Sequence, residues 1–249
     1  MTPHELNEFL LVKAEQFESL SFIADDPISI PHQFKRKEDI EIIGLLVATI
    51  AWGNRKSIIK SGNQLVTILG ESPYDYVMNF EAHRTLKFVH RTFSGEDLVF
   101  FIQALRTIYE TIGLEASFKK TASEGIHVAI SNFRDAMLQT PHRSRSTKHL
   151  SNPMINSACK RLNMYLRWMV RSNSKGVDFG IWKTLSPKDL HIPLDVHTGN
   201  IARKLGILER TQNDWKSSQL LHEFAKELIP EDPSKLDFAL FGLGAIEHF

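Results

Sequence analysis

Cysteine is almost missing from this 249-residue chain; only Cys159 is present. One thiol cannot make an intrachain disulfide, a four-cysteine zinc site or a four-cysteine iron–sulfur cluster. Long apolar runs are lacking too. The longest, Ile42 to Trp52, is too short to span a bilayer. The segment Met1 to Glu15 carries Glu5, Glu8, Lys13 and Glu15, a pattern unlike a signal peptide. No membrane association is expected, and a reducing cytoplasm is the expected compartment. Nor is there a bulk charge of one sign: 30 Lys and Arg against 29 Asp and Glu leave +1. A nucleic-acid surface would therefore have to arise from local segregation of charge. His-Glu-x-x-His is absent, since His222-Glu223 lacks the second histidine, and there is no glycine-rich phosphate loop. Neither metal nor cofactor is expected. Alternating strand patterns are scarce, Leu86 to Phe93 being the weak candidate.

What the chain does contain is helical periodicity over a composition that is 42% apolar. Leu6, Phe9, Leu10, Lys13 and Phe17 mark a first helix, and Ile40 to Ile50 is apolar nearly all round, as for a buried helix. Ile58, Gly62, Leu65, Val66 and Leu69 fall on one face ahead of Gly70, a helix-ending glycine. Leu98, Phe101, Ile102, Leu105, Ile108, Tyr109 and Ile112 give the cleanest stripe. Others follow at Ile126 to Met137, Leu162 to Met169, Leu220 to Leu228 and Leu236 to Leu243, the last behind an Asp232-Pro233 start signal. The expected fold class is all-α.

Charge is segregated along the chain even though its sum is near zero. From Ala136 to Val177 there is no Asp or Glu, while Arg143, Arg145, Lys148, Lys160, Arg161, Arg167, Arg171 and Lys175 lie within it. Such a stretch suits phosphate binding, because neutralised phosphates release condensed counterions. On a helix from about Asn156 to Arg171, Lys160, Met164, Arg167 and Arg171 share one face. The sequence alone leaves open the blander alternative of a solvated basic face with no ligand.

The segment Ile192-Pro193-Leu194-Asp195-Val196-His197-Thr198-Gly199-Asn200-Ile201-Ala202-Arg203-Lys204-Leu205-Gly206 reads as an extended approach, an acidic N-cap and a short helix ended by glycine. As a cap alone Asp195 would contribute about 1 kcal/mol. This segment resembles the motif of the helix-hairpin-helix DNA glycosylase superfamily, in which the matching aspartate is the catalytic carboxylate. Within that superfamily the pattern is closest to the 8-oxoguanine glycosylases of archaeal type, and it is also similar to a set of bacterial proteins of uncharacterised function. His197 matches a family histidine read as packing or capping. The resemblance extends weakly to Leu45–Lys56 and to Leu240-Phe241-Gly242-Leu243-Gly244-Ala245.

The resemblance implies two helical lobes flanking a groove, a barrel lobe at 35–150 and a second lobe of 1–34 plus 151–249. Lys160, 35 residues before Asp195, takes the place of the nucleophilic lysine of bifunctional members. Trp52, Asn54 and Arg55 correspond to residues that enter the duplex. Asn156 and Ser157 stand in the hairpin, Ser151 to Ser157, which lacks the family's glycines. Asn156 is suited to a left-handed conformation and Ser157 to capping. Arg143, Arg145, Lys148, Arg161, Arg167 and Arg171 are the expected phosphate contacts. Trp182, Phe179, Phe249 and Trp52 are candidates to stack on an extruded base.

The implied chemistry is excision of an oxidised purine such as 8-oxoguanine from double-stranded DNA, with AP-lyase activity. Base extrusion costs a few kcal/mol, and positive charge then builds on the sugar. Asp195 would stabilise that charge and Lys160 would attack C1′, with Arg161 and Arg167 helping to keep its amine neutral. Two alternatives stand beside this: a catalytically silent nucleic-acid-binding module of the same fold, and an unrelated helical interaction domain. A nucleoid-associated location follows from the first two. Sequence leaves the lesion and the oligomeric state open.

Overall fold

The computed structural model describes residues 1–81 and 84–249, and among them helices account for nearly all regular structure. In chain order these are α1 (Pro3–Phe17), α2 (Leu20–Ala24), α3 (Lys37–Ile50), α4 (Arg55–Leu69), α5 (Pro73–Met78), α6 (Gly95–Thr111), α7 (Leu114–Ser117), α8 (Ile126–Leu138), α9 (Lys160–Val170), α10 (Val196–Lys204), α11 (Trp215–Leu228) and α12 (Leu236–Ala245). The described strands are β1 (Val89–His90) and β2 (Phe93–Ser94), a short antiparallel pair pairing Val89 with Ser94 and His90 with Phe93. The weak strand signal at Leu86 to Phe93 thus becomes a hairpin instead of one strand. No helix among the described residues is long and apolar enough to cross a membrane.

Local chemistry explains where the helices start. Thr2 and Glu5 form a reciprocal capping box on α1, and Ser94 with Asp97 forms another on α6. Asn54, Asp195 and Asp214 cap α4, α10 and α11, each accepting a backbone N–H from the first turn. Asp232 is different: Pro233 opens a short 3₁₀ turn before α12, and the Asp232 side chain makes no cap bond. Its carboxylate is taken by Arg171 instead.

The chain divides into two compact units. One comprises Met1–Phe22 and Pro153–Phe249, the other Ile23–Asn152. Sequence reasoning puts residues 23–34 with the first of these. They belong to the second because Ile28 and Ile30 are fully buried there. Ile30 fills the notch left by Gly62, where a Cβ would come within 2.9 Å of its Cγ1.

In the Ile23–Asn152 unit, α3 is buried along almost its whole length. Its two buried carboxylates are satisfied: Asp39 accepts the Tyr74 N–H at 2.8 Å, and Glu41 accepts the Tyr109 hydroxyl at 2.7 Å. Phe118 and Phe133 stack at 4.2 Å. In the other unit α1 and α10 both pack along α12. Glycines permit this: a Cβ at Gly242 would lie 2.2 Å from the Phe17 ring, and one at Gly244 would press on His197 and Ile201. Leu10, Ile192, Leu194, Ile201, Leu221 and Leu240 belong to the shared core.

Candidate active site

Two helix starts within the unit of Met1–Phe22 and Pro153–Phe249 carry the two central residues. Lys160 is the first residue of α9, and Asp195 is the N-cap of α10. Asp195 Oδ1 accepts the Thr198 N–H at 3.0 Å, so one carboxylate oxygen completes the helix. Lys160 is half-buried, its amine 3.6 Å from Met164 Sδ.

A third charged group ties these two together, and nothing in the local sequence announces it. Asp237, on the first turn of α12, is almost wholly buried. Its carboxyl is pushed up to about 6, burial being the main cause; the Arg167 and Lys160 cations oppose the shift and the Asp195 charge adds to it. Lys160, Asp195 and Arg167 therefore all act electrostatically on one buried carboxyl.

Arg167 and Arg171 do not form the exposed phosphate-binding face expected of them. Both are buried, at 3% exposure. Arg167 donates to Asp237 at 2.5 Å and to Asp178 at 3.3 Å. Arg171 donates to Asp178 at 2.6 Å and to Glu18 and Asp232, each at 2.7 Å. Both guanidinium groups also lie over the Phe238 ring. Burial alone would disfavour the charge on Arg171, but the hydrogen bond to Asp232 and the charges of Asp178, Asp232 and Glu18 outweigh it and raise its pKa above the ordinary arginine value. The acids come from residues 18, 178, 232 and 237, all outside the acid-free window. Arg161 is half-buried, and burial pushes its pKa down to about 10 against the opposing charge of Cys159.

The turn before α9 contains no glycine, yet it holds two left-handed residues, Asn156 at φ 66° and Cys159 at φ 50°. Asn156 is held by its neighbours: its amide donates to Asp214 at 3.0 Å, and its backbone carbonyl accepts the Trp215 N–H at 3.1 Å. Ser157 caps the turn and not the helix, accepting the Cys159 N–H at 3.3 Å, because α9 begins at Lys160 and not near Asn156. Cys159 itself is buried.

The aromatic candidates separate. Trp182 is a core residue at 1% exposure, edge-on to Tyr165 at 5.4 Å. It nonetheless contributes to the wall of a cavity of about 450 Å³ shared with Phe179, Ser172, Asn173 and Lys183. Phe249 is exposed, 6.1 Å from the Phe9 ring, with the Lys204 amine 4.7 Å above its face. Trp182 is thus held in the core, and one face of the exposed Phe249 ring is already taken by the Lys204 amine.

In the Ile23–Asn152 unit, Trp52 is half-buried, edge-on to His90 at 5.4 Å, and Asn54 is exposed while accepting the Ser57 N–H. Arg55, half-buried, is the first residue of α4. Arg143, Arg145 and Lys148 are all exposed. Arg143 pairs with exposed Glu96 at 2.9 Å, and Arg145 reaches the buried Asp97 at 2.7 Å. Asp97 also accepts from Ser94 and Ser146; these bonds hold its pKa below the ordinary aspartate value despite its burial.

Among the described residues no cluster of three or more His, Cys, Asp or Glu is arranged to hold a metal. Residues 26–246 match the model of the family described as "protein of unknown function (DUF2400)", and the chain belongs to that family. Neither the curated proteins nor the solved structures contain a significant match.

Proposed function

We propose that this chain is a DNA base-excision glycosylase with AP-lyase activity, acting on an oxidised purine such as 8-oxoguanine in double-stranded DNA. The observation that carries the reading is the shared electrostatic neighbourhood of an amine at one helix start and a carboxylate at another. Lys160 and Asp195 both act on the buried Asp237 carboxyl. In this reading Asp195 stabilises positive charge at C1′ of an extruded nucleoside. The Lys160 amine bonds to C1′ as the N-glycosidic electron pair leaves with the base. One proton of the nitrogen is lost and the other passes to the ring oxygen as the C1′–O4′ bond opens, giving a Schiff base. Removal of a C2′ proton then breaks the C3′–O bond by β-elimination and expels the 3′ phosphate. Trp52, Asn54, Arg55, Arg143, Arg145, Lys148 and Arg161 are the proposed DNA contacts. Arg167 and Arg171 are left out, since buried carboxylates already hold them.

The test is borohydride trapping on a panel of duplexes, each bearing one lesion. A covalent adduct is expected with the wild type and none with Lys160→Gln. Asp195→Asn is expected to slow base release by about 10²–10³-fold, as for loss of one electrostatic stabiliser of a transition state. A folded wild-type protein that binds duplex yet neither traps nor releases a base on any lesion overturns the enzyme reading and favours the silent module.

A further inference from the structure

Gly199 is an anomaly in a nine-residue helix, where glycine is about 1 kcal/mol worse than alanine. Its φ is not in the left-handed region, so the backbone does not require it. Space does. A Cβ at Gly199 would lie 2.6 Å from Asn213 Oδ1 and 2.8 Å from Arg203 Nη1. The missing side chain lets the Asn213 amide lie against the first turn of α10.

From there Asn213 Nδ2 donates to the backbone carbonyl of Asp195 at 2.9 Å. The same carbonyl accepts the Gly199 N–H at 2.9 Å, so the cap residue is held by the helix and by a side chain from beyond it. The orientation of the Asn213 amide is fixed in turn, because Arg203 Nη2 donates to its Oδ1 at 2.5 Å. Arg203 is itself anchored, its Nε donating to the Arg210 carbonyl at 2.6 Å. The chain of contacts runs from the 210 loop through Arg203 and Asn213 to Asp195. With its own Oδ1 occupied by Thr198, Asp195 has both its backbone and one carboxylate oxygen fixed.

We infer that Asn213 and Gly199 together form a positioning device for Asp195: Asn213 clamps the carbonyl of the cap, and Gly199 leaves the opening that the clamp occupies. The inference rests on the glycosylase reading for its functional consequence, but the clamp itself can be tested without it. Asn213 is exposed, so its variants put no core packing at risk.

Two measurements decide the matter. In single-turnover base release, Asn213→Asp replaces the donating nitrogen with an oxygen while keeping the shape. It is expected to slow the chemical step roughly 10- to 100-fold, as misplacements of about an ångström do, with duplex affinity unchanged. An unaltered rate in Asn213→Asp overturns the proposal. Thermal unfolding of a double-mutant cycle supplies the second readout. Gly199→Ala is expected to lower Tm when Asn213 is present and to be at least about 2–4 °C less destabilising in the Asn213→Ala background, where the closer of its two contacts is gone and the Arg203 tip, released from Asn213, can swing aside. Additive Tm shifts would show that Asn213 does not occupy the opening, and would overturn the clamp. If wild-type protein releases no base from any lesion, the enzyme reading falls, while the cycle still decides whether Asn213 holds Asp195.

Discussion

The two ends of the acid-free stretch have opposite fates. At its start, Arg143, Arg145 and Lys148 are exposed, and the partner of Arg143 is an exposed glutamate. Near its end, Arg167 and Arg171 are buried among Glu18, Asp178, Asp232 and Asp237. The linear sequence makes these arginines equivalent. The fold does not: distant acids reach both groups, but those that meet Arg167 and Arg171 bury the guanidinium groups with them, whereas Arg143 and Arg145 stay exposed beside Glu96 and Asp97. An exposed ion pair is worth about 0–1 kcal/mol and can be exchanged for a phosphate. A buried one cannot give up its partner without leaving a desolvated charge behind.

That contrast can be broken most severely at Arg171. Arg171→Ala takes a cation from three carboxylates, leaving Asp178 with Arg167 alone, and losing one partner of a buried pair typically costs about 3–5 kcal/mol. A fall in Tm of roughly 10 °C is expected by calorimetry at neutral pH, given about 2–4 °C per kcal/mol for a chain of this size. A change of a degree or two would mean that the network is not formed as described.

A subtler effect concerns the same network and acidity. The folded chain keeps a proton on Asp237 up to about pH 6, whereas the ordinary aspartate value is 3.8. Between these values the folded state binds more protons than the unfolded one, so the contribution of this residue to stability falls as pH rises through that window. The wild type should therefore lose Tm from pH 4 to 6 relative to Asp237→Asn, with the two curves parallel above pH 7. A pH-independent difference between them would refute the raised pKa.

At the other end of the stretch the smallest thermal effect is expected. The double variant Arg143→Glu/Lys148→Glu should leave Tm within the range of ordinary surface changes, about 0.5 kcal/mol. It should nevertheless weaken duplex binding and make its log–log salt dependence shallower by about 2, close to one unit per lost phosphate contact. A variant with wild-type salt dependence would remove these two residues from the proposed interface.

Much of the helical framework was legible because helices advertise themselves locally. The stripes around Leu98 and Ile126 and the cap at Asp195 each depend on residues a few positions apart. The short helices α5 and α7 span too few residues for a period to emerge. At the candidate site, Lys160 and Asp195 could be picked out by resemblance to a motif, but the groups around them could not. Arg167 meets Asp237 across 70 positions, and Asn213 meets Asp195 across 18. No periodicity encodes such pairings. The one local hint, a glycine inside the helix of the Asp195 motif, becomes intelligible only once Asn213 is seen resting on it.

The buried Arg167–Arg171 network also has a practical side. Mobile ions shorten the range of exposed charges to about 3 Å at molar concentration but barely enter a packed interior. Concentrated salt should accordingly strip an adhering polyanion from Arg143 and Lys148 while the bonds around Arg171 persist, so that a preparation washed in this way emerges bare and still folded.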